Sequence, residues 1–118
     1  MSRPLSQRVA GRAARQTVAV VAIANAGVRQ GARACAFVVC WGIASERLGH
    51  DPSMVEYAEV WGESVATAYR ERDAFKVAFP MLVDPAPLWA EVGARVRSRD
   101  RAVATAELFG LPFPMELV

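Results

Sequence analysis

The chain has 118 residues, of which 53% are hydrophobic and 22% are charged, so it suits one globular domain and is too short for two independent ones. Its net charge of +2 is too small to indicate any class of partner by itself. No internal repeat or low-complexity tract interrupts the sequence.

The basic residues are unevenly distributed. Residues 1–33 carry six arginines and no acidic residue, and the stretch 95–101 carries four arginines around Asp100. Two arginine-rich ends around a mildly acidic centre fit an anionic partner, of which nucleic acid is the first candidate. Arginines that are merely solvated on helix faces are the alternative. The residues concerned are Arg3, Arg8, Arg12, Arg15, Arg29 and Arg33, and then Arg95, Arg97, Arg99 and Arg101.

Apolar residues recur at helical spacing in the first half of the chain, which predicts helices at about 5–26 and 32–48. Gly27 and Gly31 bracket the break between them, and Gly49 ends the second. No strand is predicted, because the valine-rich stretches are interleaved with alanine and lack hairpin turns. The apolar faces are defined by Leu5, Val9, Ala13, Val20 and Ala24 in the first helix and by Phe37, Trp41, Ala44 and Leu48 in the second.

The cysteines and the histidine indicate the redox state of the protein's compartment and whether it can bind a metal ion. Cys35 and Cys40 would lie about 140° apart around a helix, so free thiols in a reducing cytoplasm are expected. With His50 as the lone histidine, neither a zinc site nor another cofactor is expected. The apolar run 17–28 resembles the start of a secretory signal, with 24–26 as a cleavage site. It is far shorter than a membrane span of about 20 residues, and a core helix is the preferred interpretation.

The clearest boundary signals come next. Ser53 and Glu56 have the spacing of a capping box, in which the hydroxyl accepts from a first-turn amide and the carboxylate reaches back to the serine amide. The expected fold class is therefore all-α throughout. The predicted helices are 54–61 ended by Gly62, 65–79 begun by Ser64 and closed by Pro80, 86–99 with Leu88, Val92 and Val96 on one face, and a short helix at 101–109.

The stretch 53–72 resembles the bacterial helix-turn-helix pattern. Ala58 is small where two helices must cross closely, and Gly62, four residues later, supplies the tight turn. Ser64 begins the second helix. The sequence departs from the pattern at Glu63, because the residue after the turn glycine is usually apolar and packs under the turn.

The resemblance extends to short actinobacterial and phage proteins in which such a unit ends in an aromatic-rich stretch, here AFKVAFP at 74–80. It covers about residues 32–80 and implies a compact helical domain, 1–118, with a central tri-helical helix-turn-helix unit. Residues 1–31 would then form an arginine-rich amino-terminal helix, and 81–118 would form carboxy-terminal helices and a tail. The near absence of lysine, which indicates a GC-rich genome, agrees with such an origin.

The resemblance implies that the helix at about 64–79 is a recognition helix that lies in the major groove of double-stranded DNA. On a helical wheel, Ala68, Phe75 and Phe79 point into the domain. The side chains on the opposite side are Ala66, Tyr69, Arg70 and Asp73.

These outward residues and the helix start supply the candidate DNA contacts. Arg70 is best suited to bind a guanine through two hydrogen bonds. Ser64 and Thr67 are short hydroxyls placed for phosphate at a helix amino terminus. Each of these residues has an alternative role without DNA. Arg70 would be an exposed charge, and Ser64 and Thr67 would be residues at the start of a helix. The remaining candidates are Val65 and Ala66 for a thymine methyl, Tyr69 for phosphate or as a shield, and Arg72.

Electrostatics supplies the main objection. Residues 53–79 contain five acidic and three basic residues, a net charge of −2, whereas DNA affinity depends largely on phosphate neutralisation. The arginines of the amino-terminal helix, the 95–101 cluster or a second subunit would have to contribute.

Two kinds of residue inside the predicted helices call for a packing role. Asn25 is polar within the first apolar helix, and we expect it to fix helix register or pairing in a buried interface. Trp41, Trp61 and Trp89 occupy apolar positions, where packing in the core or an oligomer interface is a better explanation than base stacking.

The sequence therefore predicts a non-enzymatic, sequence-specific transcriptional regulator. No catalytic residue is assigned, because the chain has no glycine-rich phosphate loop and no recognisable carboxylate pair. A homodimer is expected, since one helix in one groove reads too few bases. The alternatives are a protein-interaction module, such as an adaptor or phage-encoded inhibitor, and a membrane-proximal protein anchored by residues 1–28.

Overall fold

The computed structural model describes the backbone of residues 5–92 and the side chains of residues 17–91. This part of the chain has no strand, which confirms the predicted all-α fold class. None of its helices holds an apolar stretch long enough to cross a bilayer. The predicted helix at 101–109, the end of the 86–99 helix and the 95–101 cluster lie outside the described residues. The four helices are α1 (Leu5–Leu48), α2 (Met54–Trp61), α3 (Val65–Ala78) and α4 (Ala86–Val92).

Helix α1 turns a sharp corner at Gly27, which has φ 84° and ψ 170°. A glycine adopts this conformation without the steric cost that a side chain would bring. Beyond the corner Gly31 lies against the other arm, where an added Cβ would be 3.0 Å from backbone atoms of Ala22 and Ile23. The predicted break between two helices is thus confirmed. The first segment of α1 precedes Gly27, and the second segment follows it.

The first segment of α1 turns a different face to the core from the predicted one. Val18 and Ala22 are buried, whereas Val20 is 66% exposed and Ala24 is also exposed. The prediction that Val20 and Ala24 belong to the core-facing stripe is therefore wrong. The corner brings the Ala22 side of the helix against Gly31, and only small residues allow the backbones to approach so closely. The side chains of Leu5, Val9 and Ala13 lie outside the described residues.

The second segment of α1 is the centre of the core. Residues 34–44 are buried on every side except at the half-buried Ala36, as expected of a helix that is apolar all round. The predicted face of Phe37, Trp41 and Ala44 is confirmed as part of this surface. The Phe37 ring packs against Tyr57 of α2 and Phe75 of α3, at centroid distances of 5.2 and 5.6 Å. Helices α2 and α3 therefore share one aromatic cluster with α1.

Both cysteines lie in this buried segment. Cys35 and Cys40 are fully buried and unbridged, as predicted. Burial raises the pKa of the Cys35 thiol to about 12, because a thiolate would lose its hydration there. These thiols are part of the packing and not a reactive pair.

The half-buried tryptophans fasten other helices to α1. Trp61 donates from Nε1 to the Cys40 carbonyl at 3.1 Å, and the Arg47 guanidinium lies 5.3 Å from the Trp61 ring centre. Trp89 of α4 lies flat on Gly42, where any Cβ would overlap the indole. The predicted packing role of the tryptophans is confirmed.

Candidate nucleic-acid interface

Helices α2 and α3 are joined by a tight turn built from local hydrogen bonds. Gly62 has φ 62° and ψ 39°, and its amide donates to the carbonyls of Ala58 and Glu59. The Glu63 amide donates to the Ala58 carbonyl at 3.0 Å, which completes a Schellman motif. Ala58 is 3% exposed, as the predicted close helix crossing requires. The predicted turn geometry of 58–64 is therefore present.

Both helices begin at serine caps. Ser53 Oγ accepts from the Glu56 amide at 3.1 Å, and Glu56 Oε1 accepts from the Ser53 amide at 3.0 Å, so the predicted capping box is confirmed. The bond from the Ser53 amide, together with the 2.8 Å contact of Glu56 Oε2 with His50 Nε2, holds the pKa of Glu56 below its usual value. The Ser53 amide is the largest cause.

Glu63 stands where the helix-turn-helix pattern usually has an apolar side chain. The residue is half-buried, and both of its carboxylate oxygens are shielded from solvent. Its carboxylate is therefore turned away from water, unlike that of an exposed glutamate.

A buried polar pair joins α2 to α3. Tyr57 Oη donates to Glu71 Oε2 at 2.8 Å, with Tyr57 fully buried and Glu71 only 6% exposed. In the linear sequence Glu71 counts simply as a negative charge. The signal for its burial is available on the helical wheel, because Glu71 is three residues after Ala68 and four before Phe75, on the inward side. The pair is thus a buried polar link between the two helices.

The outward face of α3 is the surface left open by this packing. Ala68, Phe75 and Phe79 are buried, as predicted. The exposed residues that define the outward face are Val65, Ala66, Tyr69, Arg70, Asp73, Lys76 and Val77.

The two predicted phosphate-binding hydroxyls interact with each other. Ser64 Oγ accepts from the Thr67 amide at 3.1 Å and donates to Thr67 Oγ1 at 2.9 Å. The Ser64 proton is thus used inside the cap. The Thr67 hydroxyl, whose oxygen accepts that bond, keeps its own proton for an external acceptor.

The predicted cationic contacts adopt different environments. Arg70 is exposed and lines a groove between α3 and α1, whereas Arg72 is half-buried with its guanidinium 4.7 Å from the Tyr69 ring centre. Arg72 Nε is buried and has no hydrogen-bond partner among the described residues. Tyr69 and Arg72 therefore form one stacked unit at the edge of the outward face of α3.

One residue of the amino-terminal arginine group joins this face. Arg33, on the second segment of α1, lines an open groove together with Arg70. In the sequence, nothing distinguishes Arg33 from the other five arginines of residues 1–33. The end of α3 is also fixed to α1, because Asn25 Nδ2 donates to the carbonyl of Ala78, the last residue of α3, at 2.7 Å. This bond joins α1 to α3, but Asn25 is exposed, so the expectation that it lies in a buried interface is wrong.

The acidic and basic side chains of helices α2 and α3 differ in their exposure. Glu71 is buried and the Glu63 carboxylate is shielded, so Asp73 is the one acidic side chain on the outward face of α3. Arg70 and Lys76 share that face, with Arg33 beside it. The net charge of −2 in the linear sequence therefore misrepresents this surface. No protein-family model, curated protein or solved structure matches the chain.

Proposed function

We propose that the protein is a non-enzymatic, sequence-specific DNA-binding regulator of transcription in the cytoplasm, with α3 as its recognition helix. The observation that carries the proposal is the outward face of α3. It follows a Schellman turn at Gly62, carries Arg70 and Lys76, and retains one acid, Asp73. A helix presented in this way by two supporting helices has the form that enters a major groove.

The proposed contacts divide between bases and backbone. Arg70 binds a guanine, and Val65 and Ala66 meet a thymine methyl. Thr67 donates its free proton to a phosphate at the amino end of α3, where the helix dipole also favours an anion; Ser64 holds Thr67 in place. The stacked pair of Tyr69 and Arg72 flanks these contacts on the backbone side.

The functional unit in this proposal is a homodimer. One recognition helix contacts too few base pairs for useful selectivity, and two helices about 34 Å apart read two half-sites. The described residues would supply its DNA-contacting surface. An actinobacterial or phage origin, suggested by the resemblance in sequence, is part of this proposal.

A mobility-shift titration tests the proposal, with the DNA that flanks the protein's own gene, random DNA as competitor, and two salt concentrations. We expect binding that resists the random competitor and weakens as salt is raised, because released counterions contribute to affinity. Absence of any shift at low salt would overturn the proposal.

A protein-interaction module is the second candidate. The specific observation in its favour is the apolar part of the outward face of α3, where Val65, Tyr69 and Val77 are 38%, 43% and 57% exposed. Aromatic and aliphatic side chains on one helix face suit a protein groove. Two results together would establish this function. The chain would not bind DNA at low salt, and Val77→Asp would abolish its binding to a protein partner.

A further inference from the structure

The groove between α1 and α3 combines charged and apolar walls. Its volume is about 310 Å³, well above that of a single ion and at the lower end of small-molecule sites. Arg33 of α1 and Arg70 of α3 line it from opposite helices, and Asp73 lies one helical turn from Arg70. Ala74, which is buried, and Val77 contribute the apolar surface.

The charges in this groove are not neutralised by one another. Within the described part of the chain, Arg33, Arg70 and Asp73 form no ion pair. The Arg33 guanidinium has a hydrogen bond of 3.4 Å to Gln30 Oε1, which leaves most of its five donors for an external acceptor. Two guanidinium groups and one carboxylate therefore face the same open space.

This combination selects a ligand by its chemistry. Two guanidinium groups suit a carboxylate, which each can bind through paired N–H donors. Asp73 repels a second negative charge and accepts a hydrogen bond, so it favours a monoanion that carries a donor. A phosphate diester of DNA fits less well, because it is a chain segment without an apolar body or donor, and the groove exceeds one phosphate in volume.

We propose that the groove binds a small monocarboxylate with a neighbouring hydroxyl or ammonium group and a short alkyl chain. Arg33 and Arg70 bind the carboxylate, Asp73 accepts from the hydroxyl or ammonium group, and Ala74 and Val77 contact the alkyl chain. Since the ligand and a guanine would compete for Arg70, the ligand releases DNA; this consequence, though not the binding itself, depends on the proposed function.

The binding is tested without DNA, on the full chain, by NMR of the arginine Nε–Hε signals. The probes are 2-hydroxy-3-methylbutanoate, 3-methylbutanoate, which lacks the hydroxyl, and 3-methylbutan-1-ol, which lacks the carboxylate. We expect saturable shifts at Arg33 and Arg70 with the hydroxy acid, weaker binding of the plain acid, and none of the alcohol. Arg33→Gln and Arg70→Gln should each weaken binding about tenfold or more.

Arg29→Gln is the matched control, because Arg29 is an exposed arginine of the same helix that does not line the groove. It should leave the affinity unchanged, and Asp73→Asn should reduce the preference for the hydroxy acid over the plain acid. Shifts that never saturate, or equal losses of affinity in Arg29→Gln and Arg33→Gln, would overturn the proposal. If the chain binds the hydroxy acid saturably but does not bind DNA, the carboxylate site is supported and the proposed regulator function is refuted. Failure of one proposal can therefore be distinguished from failure of the other.

Discussion

At the scale of single residues, Tyr57 and Glu71 form a buried hydrogen bond between α2 and α3. A buried carboxylate that loses a hydrogen-bond donor retains most of its desolvation cost, whereas an exposed one recovers its hydration from water. The contribution of this pair to the free energy of unfolding therefore depends more on its burial between α2 and α3 than on the hydrogen bond itself.

Tyr57→Phe tests that contribution. Removing the hydroxyl should lower the free energy of unfolding by about 1–3 kcal/mol, because Glu71 stays buried without this donor. Urea unfolding measures the change. Tyr69→Phe is the control, since Tyr69 is 43% exposed, and its effect should stay within about 0.5 kcal/mol. Equal effects of the two substitutions would contradict the assigned role of the pair.

Arg70→Ala separates base contact from phosphate contact. Under the proposed function, removal of the paired hydrogen bonds to a guanine should relax preference at one base position by about 1–3 kcal/mol. Competition binding with a library of single-base variants measures it. Lys76→Ala, on the same outward face of α3, should instead weaken binding to all sequences alike. A uniform weakening on Arg70→Ala would show that Arg70 contacts only phosphate.

At the scale of helices, the sequence predicts boundaries better than faces. Serine and glycine mark the ends of α2 and the start of α3 through local hydrogen bonds that need no tertiary partner. Apolar spacing selects the wrong inward face for the first segment of α1, because alanine and valine occur on all its sides and spacing alone cannot choose among them. The contacts of Glu71 and Trp89 join residues distant in sequence, and only the folded chain reveals them.

Gly42→Ala probes the contact between α1 and α4. In a helix interior alanine is usually more stable than glycine by about 1 kcal/mol, but a methyl at 42 would overlap the Trp89 indole. We therefore expect destabilisation in the native background and stabilisation when Trp89 is already alanine. Thermal unfolding of the single and double variants shows the change of sign. Destabilisation in both backgrounds would show that the methyl group at position 42 destabilises the fold for a reason other than overlap with Trp89.

The capping box of α2 predicts a dependence on pH. The folded-state pKa of Glu56 lies below its ordinary value of 4.5, so its contribution is fully present above that pH and is lost as pH falls through the lowered pKa. Glu56→Gln keeps an acceptor for the Ser53 amide but does not titrate. The stability difference between native chain and variant should shrink with acidification. Glu59→Gln, an exposed residue outside the capping box, is the control, and an equal trend there would contradict this assignment.

At the scale of the whole molecule, the surface that matters is assembled from distant parts of the chain. Arg33 and Arg70 are 37 positions apart in sequence, yet they line one groove because α3 packs along α1. A net charge summed over a sequence window cannot reveal such a surface, since it gives equal weight to the buried Glu71 and the exposed Arg70.

Removal of residues 1–16 tests whether the remaining arginines of this end contribute to DNA binding. Under the proposed function, the truncated chain should bind more weakly, and the slope of log affinity against log salt should flatten by about 0.9 for each phosphate that is no longer neutralised. Arg8→Gln with Arg12→Gln in the full chain is the companion variant that keeps the helix length. An unchanged slope would show that these arginines point elsewhere.

The corner at Gly27 decides where one apolar surface of the chain lies. A straight helix of 44 residues would extend about 66 Å, so the backbone torsions of one residue decide whether Val18 and Ala22 return to their own core. With Gly27 in the right-handed helical conformation, those side chains would be carried away from that core. Gly27 is thus the hinge between the two segments of α1, and a residue with a side chain at this position would disfavour the closed arrangement.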